Sequence, residues 1–388
     1  MRILQLNDTF PPEATGGAAR IVVETSEALV KAGHTVMVLT TAEHPEHFPQ
    51  MPGVSIQSIK KLPKRWAHYR SVFSGKRARE VLAVIDAWKP DVIHAHSISW
   101  QIGYRFLHGA AARGIPCFYT CHSVMPVAYG KVTTKERSLI LKDLLRARWT
   151  YNPLRNRAIR KALQKTHLLS VSDALKDYLE ARGISGITTL HNGIDLATWK
   201  SDVSMKDARA KLSLPEDSCL FLLAGRLGED KGLSLLFDLW PSLTGAPHLL
   251  LAGTLAMEIP EFLKNVVHIF RNQTPAEMRL LLAATDVTLV PSLCFDSFPT
   301  IALESMALAR PVIAGDRGGA KESVQDSESG WILPLEEKGA WRERLQFCID
   351  ERNALPAFGE RGRKRMEQYF SREEYCKNLL AHYARKVR

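Results

Sequence analysis

The chain has 388 residues, more than one ordinary core accommodates and suited to two domains. A hydrophobic content of 45% against 24% charged residues excludes a disordered chain, and no apolar run approaches the ~18 residues of a membrane-spanning helix. The net charge of +11 is carried unevenly: residues 1–195 hold 27 Lys and Arg against 15 Asp and Glu, the remainder 25 against 26.

Met1 to Asn7 runs straight into a predicted strand, which leaves no room for a signal peptide. The first half alternates short apolar runs with helical patterns, as a parallel sheet with crossover helices requires. Predicted strands cover 3–7, 35–40, 54–59, 92–96, 117–121, 168–171 and 188–191; predicted helices cover 17–32, 75–88, 101–113, 136–165 and 173–182. A second series of strands follows at 219–224, 248–252, 266–270, 287–290 and 312–314, and a last helix at 372–386 has no strand after it. The doubled series predicts two Rossmann-like domains, with the boundary near residues 195–200. Six scattered cysteines, at 117, 121, 219, 294, 348 and 376, show no Cys-x2-Cys spacing and read as reduced, mostly buried thiols of a cytosolic protein.

The most informative stretch is Phe295-Asp296-Ser297-Phe298-Pro299-Thr300-Ile301-Ala302-Leu303-Glu304-Ser305-Met306-Ala307. Residues 286–292 read as a buried strand and 299–309 as a helix, with Pro299 tolerated in its first turn. Asp296 then lies in the loop at the helix mouth and Glu304 inside the helix. A helix N-terminus with free amides attracts a phosphate, and carboxylates beside it accept hydrogen bonds from sugar hydroxyls, so a sugar-carrying phosphate would fit. The other reading is an N-capping acid and a solvated helix Glu.

This region resembles the retaining glycosyltransferases of family four, whose GT-B fold sets two Rossmann-like domains facing each other across a deep cleft. Their signature is Glu-x7-Glu followed by an Ala/Ser-Met-Ala-x-Gly/Ala-x-Pro-Val run, and Glu304-Ser305-Met306-Ala307-Leu308-Ala309-Arg310-Pro311-Val312 matches the run closely. Asp296 departs from it, standing where the family usually has Glu, and reaches about an ångström less far.

Gly225-Arg226-Leu227-Gly228-Glu229-Asp230-Lys231-Gly232 follows the first strand of the second series, where a doubly wound sheet places its ligand crevice. Two cations there could neutralise a pyrophosphate and the charge that builds as a sugar leaves; they could equally be an Arg and a Lys at a helix entrance. The element resembles the family's Gly-Arg-Leu-x3-Lys-Gly, in which the matching Arg and Lys hold the donor diphosphate. After the first strand, Gly16-Gly17 precedes a helix, so backbone amides can approach a phosphate or sugar without a side chain in the way. It matches the family's Gly-Gly loop, whereas the Gly-x-Gly-x-x-Gly dinucleotide fingerprint is absent.

Thr120-Cys121-His122-Ser123 ends another strand. The resemblance implies that His122 contacts the donor sugar, although Ser123 stands where the family commonly has Asp. His94 and His96 share one strand face by the period of two; His94 reads as a satisfied structural histidine, and His96 either as that or as a contact on the acceptor side. His191-Asn192-Gly193-Ile194-Asp195 is close to the family's interdomain crossing element.

The segment from Lys131 to Lys165 carries 11 basic and 2 acidic residues, with Trp149 and Tyr151 among apolar neighbours, and residues 60–79 add eight basic residues and no acid. Basic and apolar faces on one helical stretch suit an anionic membrane surface, against the alternative of a solvated charged face; no nucleic-acid motif accompanies the charge.

The resemblance covers nearly the whole chain. It implies an N-terminal acceptor domain of 1–195 plus 372–388, the last helix crossing back onto it, and a donor domain of 196–371. The expected activity is retaining transfer of a hexose-type sugar from a nucleotide-sugar to a glycan or lipid-linked acceptor. Donor contacts fall to Gly16, Gly17, Arg226, Lys231, Asp296, Phe298, Pro299, Thr300 and Glu304, with His122, Arg226, Lys231 and Asp296 serving the chemistry. Glu304 would hold the ribose, Asp296 and His122 the sugar. The resemblance further implies front-face attack by the acceptor hydroxyl, with the leaving phosphate taking its proton. Closure of the domains would exclude water. No cofactor is expected, the nucleotide-sugar being a substrate, and no metal, since two side-chain cations and a helix dipole would face the phosphates and the chain has no Asp-x-Asp to bind one. The rivals are a nucleotide-sugar epimerase on a similar scaffold and a catalytically idle sugar-nucleotide or membrane-binding subunit. A cytoplasmic location is expected from the same reading, either free or peripheral on the inner face of the membrane.

Overall fold

The computed structural model describes residues 1–13, 16–63, 65, 67–128 and 152–387. The chain divides into two compact units, one running to Gly193 and resuming at Arg372, the other spanning Ile194–Ser371. Among the described residues no helix is long and apolar enough to cross a membrane.

The first unit is built on β1 (Arg2–Leu6), β2 (Thr35–Ala42), β3 (Val54–Lys60), β4 (Val92–Ala95), β5 (Cys117–Cys121), β6 (His167–Ser170) and β7 (Ile187–Thr189). They form one parallel sheet in the order β3-β2-β1-β4-β5-β6-β7. β4 and β5 are buried along their whole length, as strands covered on both faces must be, and their polar residues His94 and Thr120 are hydrogen-bonded to each other. Chain order reverses between β1 and β4, so the C-terminal ends of these two strands flank the topological switch point.

The second unit repeats the plan with β8 (Leu220–Leu227), β9 (His248–Leu255), β10 (Val267–Phe270), β11 (Val287–Val290), β12 (Val312–Gly315) and β13 (Gly330–Leu333), ordered β10-β9-β8-β11-β12-β13 and parallel throughout. Its switch point lies between β8 and β11. Phe221, Leu223, Leu249, Leu251, Val287, Leu289, Ile313 and Trp331 form the centre of its core. Ile194 and Ser371, the first and last residues of this unit, form an isolated β-bridge.

Several elements go beyond the expected series, a strand and a helix among them. β13 is only four residues long and begins at Gly330, where φ is +155° and an added Cβ would lie 2.1 Å from the Val312 carbonyl oxygen; so short a run carries little periodic signal. A seven-residue helix, Ala67–Phe73, sits inside the basic stretch 60–79. The helix expected over 101–113 is shorter, Phe106–Ala112, and of the one expected over 136–165 the structure describes Pro153–Leu163.

The last helix, Arg372–Ala384, packs into the first unit. Its Tyr375, Cys376, Leu379 and Tyr383 are buried against Ile3, Val36, Val92, Phe118 and Leu169. Tyr383 Oη lies 2.6 Å from His94 Nδ1, and His94 Nε2 lies 2.7 Å from Thr120 Oγ1. Both ring nitrogens of His94 are thus occupied inside the core, which accounts for a fully buried imidazole. All six cysteines are free and buried, and burial pushes the thiols of Cys117, Cys348 and Cys376 up to about 12.

Tyr383→Phe keeps the ring and strips the partner from His94. Leaving a buried imidazole nitrogen unpaired costs about 1–3 kcal/mol, so urea unfolding of the variant should shift by that amount. A change under ~0.5 kcal/mol would show that the helix is held by apolar packing alone.

Candidate active site

In the second unit the end of β8, the turn after it and the loop after β11 meet at the switch point. Arg226 leaves the C-terminal end of β8 and is exposed. Gly228 opens a 3-10 turn, Glu229–Lys231, and Gly232 (φ +77°) starts the helix Leu233–Leu239. A Cβ on Gly232 would stand 2.1 Å from the Pro291 carbonyl oxygen, so only glycine lets the loop after β8 lie this close to the end of β11. The Cys294 amide donates to the Asp230 carbonyl at 3.0 Å, which joins the same two loops.

Lys231 Nζ forms an ion pair with Asp296 and lies 3.4 Å from Ser292 Oγ, which in turn donates to Asp296 Oδ2 at 3.2 Å. Burial works against the ammonium, but Asp296 beside it, helped by Cys294 and Asp230, outweighs burial and raises its pKa. Lys231 is therefore a fixed positive charge at neutral pH. The loop after β12 closes the arrangement. The Gly319 amide donates to the Asp296 carbonyl at 2.8 Å, and a Cβ on Gly318 (φ +62°) would fall 2.2 Å from that oxygen. Arg317 donates to the Leu293 carbonyl at 2.8 Å.

The capping alternative for Asp296 does not hold: the helix is Thr300–Ala307, its N-cap is Pro299, and no side chain caps it. Pro299 thus stands just before the helix rather than in its first turn. It carries no N–H, so the amide donors at this mouth begin at Thr300. Phe298 is buried against Phe370, with ring centres 5.7 Å apart, so its side chain belongs to the packing. The solvated-Glu alternative fails as well. Glu304 is 4% exposed in a helix whose other residues from Ala302 to Ala307 are buried. A carboxylate kept there is costly unless hydrogen-bonded.

In the first unit Gly16 is the N-cap of the helix Gly17–Lys31, with an ordinary extended backbone (φ −69°, ψ 160°) and no side-chain cap. An added Cβ there meets nothing within 4 Å. Neither backbone strain nor packing demands glycine at this position.

His122 follows β5 and is partly buried. Its Nε2 lies 2.9 Å from His96 Nδ1, and His96 Nε2 lies 2.7 Å from Gln5 Oε1 in β1. His96 is 0% exposed. The contact expected of it on the acceptor side is thus corrected: both of its nitrogens are engaged inside the unit, and it backs His122 instead. Sequence reading also missed the pair that shapes the loops beside it. Asn7 Oδ1 accepts from Ser97 N at 2.9 Å, and Asp8 accepts from the amides of Trp100 and Ile102 at 2.5 and 2.8 Å. The polar Asn7-Asp8 immediately after an apolar strand was the available signal.

Of the basic residues between Lys131 and Lys165, those at 131–151 lie outside the described residues, as do Trp149 and Tyr151. Arg155, counted among them as surface charge, is buried and donates to the Met125 carbonyl at 3.0 Å, while Asn156 holds the Val127 carbonyl at 2.6 Å. These two side chains brace the loop after His122.

Burial depresses His94 to about 3 and His122 to about 4, and takes His96 well below 6.5. A histidine whose folded pKa is lowered costs stability once the unfolded chain begins to bind protons. Stability from these groups is full above pH 6.5 and declines as pH falls from 6.5 toward 4, by about 1.4 kcal/mol per pH unit for each neutral imidazole. Asp8, pushed up to about 7 by burial, acts in the opposite sense over this range, one carboxyl against three imidazoles. The urea midpoint of the first unit should therefore be lower at pH 5 than at pH 7.5, with a smaller drop in His122→Gln. Equal midpoints at the two pH values would contradict the neutral histidine cluster.

The model of Glycosyltransferase Family 4 matches residues 15–198, and that of Glycosyl transferases group 1 matches residues 204–365. Glycogen synthase of Mycobacterium tuberculosis is 23% identical over 95% of this chain and 91% of its own. The D-inositol 3-phosphate glycosyltransferase of Frankia alni is 26% identical over 86% of each chain. Among solved structures, sucrose-phosphate synthase from Thermosynechococcus elongatus gives a TM-score of 0.78 at 20% identity over 99% of this chain and 98% of its own. The Anabaena protein HepE in complex with UDP gives 0.76 at 16% identity over 99% and 100%; identities this low carry the fold alone. With a family model on each half and two Rossmann-like sheets between them, the chain belongs to the group 1, family 4 glycosyltransferases and has their GT-B fold.

Proposed function

We propose that this glycosyltransferase is retaining and metal-independent, and moves a hexose-type sugar from a nucleotide-sugar to a glycan or lipid-linked acceptor. The observation that carries the reading is the cluster at the second switch point: Arg226 and Lys231 beside Asp296, next to a helix mouth with a buried Glu304.

Arg226, Lys231 and the amides from Thr300 onward form the seat for the diphosphate. They are cations and dipoles already in place, so the charge that grows on the leaving phosphate is met without reorganisation. Lys231 is held charged by Asp296, which supports metal-free stabilisation of the leaving group. Asp296 spends Oδ2 on Lys231 and Ser292 and has Oδ1 to accept from a sugar hydroxyl. Glu304 is assigned to the ribose hydroxyls, His122 to the donor sugar, and the amides at Gly16 and Gly17 to the substrate approaching the first switch point. HepE, similar in fold, was solved with UDP, which supports a nucleotide-sugar donor. The chemistry needs no protein nucleophile: the acceptor hydroxyl attacks on the face from which the phosphate departs, and that phosphate takes its proton. The lipid-linked acceptor is proposed from the charge excess of residues 1–195.

The test is stereochemical. Incubated with its donor, the enzyme should release sugar by slow hydrolysis, or form product, with the anomeric configuration of the nucleotide-sugar kept, as read by the anomeric proton coupling before mutarotation. The rate should be unchanged by EDTA. Inverted product would overturn the retaining assignment, and loss of activity in EDTA restored by Mg²⁺ would overturn metal independence.

A further inference from the structure

We propose that Gln5 is a positioning residue that, through His96, fixes the proton of His122 on Nε2 and leaves His122 Nδ1 as a hydrogen-bond acceptor. That Nδ1 then accepts from a hydroxyl of the donor sugar rests on the assignment of His122 made above; the control of its proton by Gln5 does not.

Gln5 sits in the middle of the first sheet, 0% exposed, and presents Oε1 to His96 Nε2 at 2.7 Å. An amide oxygen only accepts; with the Gln5 amide in this orientation, its own Nε2 buried without a partner, His96 carries its proton on Nε2, and the flipped amide would reverse the relay. A neutral imidazole has one N–H, hence His96 Nδ1 is an acceptor. The atom it faces, His122 Nε2 at 2.9 Å, must then be the donor. The two rings are 5.2 Å apart between centres and 27° apart in plane. With 2.9 Å between the nitrogens, that separation places them edge to edge along an N–H···N line, not face to face. His122 has one proton to give, and it is spent on His96. Nδ1 is left unprotonated, and no described residue bonds to it.

His96 can hold this direction only while neutral. A charged His96 would donate from both nitrogens, force His122 Nε2 to accept and move the His122 proton to Nδ1. The surroundings oppose that. His94 lies 4.1 Å away between ring centres with both nitrogens bonded elsewhere, and no carboxylate forms an ion pair with His96 among the described residues. Burial, with His94 and His122 close by, keeps His96 in the neutral form. The polarity of the partly exposed imidazole is therefore set from a strand two places away, since β4 separates β1 from β5 in the sheet.

The relay is read directly by nitrogen-15 NMR of histidine-labelled enzyme without ligand at pH 7.5, with the His122 signals assigned by comparison with His122→Gln. The expected spectrum has His122 Nε2 protonated and Nδ1 in the unprotonated range, and His96 with the same tautomer. A protonated His122 Nδ1 in the wild type would overturn the proposal, whatever the variants do. Gln5→Met keeps the side-chain length and removes both polar atoms; it should give His122 a mixed tautomer and lower kcat about tenfold, the worth of one neutral hydrogen bond. An unchanged His122 tautomer in Gln5→Met would also overturn it. Deoxy analogues of the donor separate the two claims. If the tautomer is as stated but every deoxy donor is used as well as its parent, the sugar contact of His122 fails while the hold of Gln5 on His122 stands.

Discussion

One ion pair sets the ligand-facing edge of the second unit. Lys231 is drawn onto Asp296, and that contact links the loop after β8 to the loop after β11 across the point where strand order reverses. The backbone is shaped to allow it. Gly232 lets the first loop lie on Pro291, and Gly318 and Gly319 bring the loop after β12 onto the Asp296 carbonyl. Three loops from adjacent strands are thereby fixed before any ligand arrives. An ammonium held in this way keeps its place and its charge. The shorter acid is consistent with this frame: Asp296 reaches Lys231 from a backbone already pinned at its own carbonyl.

The first unit uses a different material for the same end. Its switch-point edge is organised by neutral hydrogen bonds instead of charge. His94 is tied to Tyr383 and Thr120, His96 to Gln5 and His122, Asn7 to Ser97, and Asp8 to the amides of Trp100 and Ile102. The C-terminal helix belongs to this network through Tyr383, so a residue near the end of the chain takes part in ordering strand ends near its beginning. Buried networks of this type are worth keeping only when their members are satisfied, and the imidazoles achieve this by staying uncharged.

Much of this was legible in the sequence. Short apolar runs gave away most of the buried parallel strands, the alternation of Val54 and Ile56 with polar neighbours gave away β3, and twelve of the thirteen strands were found. Arg226, Lys231, Asp296 and Glu304 were singled out because their spacing predicts them at strand ends and in a helix; the structure puts them at the end of β8, in the turn after it, in the loop after β11 and in the helix Thr300–Ala307, positions that depend on local chain geometry. What stayed hidden depends on contacts between distant segments. Nothing in Asp91-Val92-Ile93-His94-Ala95-His96 indicates which histidine faces Gln5 and which faces Tyr383. The burial of Glu304, which removes the solvated-helix alternative, depends on what packs around its helix. Arg155 looked like surface charge because charge is counted along the chain, while its burial follows from the loop it braces.

The central claim is that the second switch point is a nucleotide-sugar site with Glu304 on the nucleotide. Its most direct test is a thermal-shift panel of UDP-, GDP-, ADP- and dTDP-sugars, with NAD as control, on the wild type and on Glu304→Ala. The account predicts stabilisation by one sugar nucleotide and its loss in the variant. A shift that is the same in both proteins, or no shift with any sugar nucleotide, would contradict it.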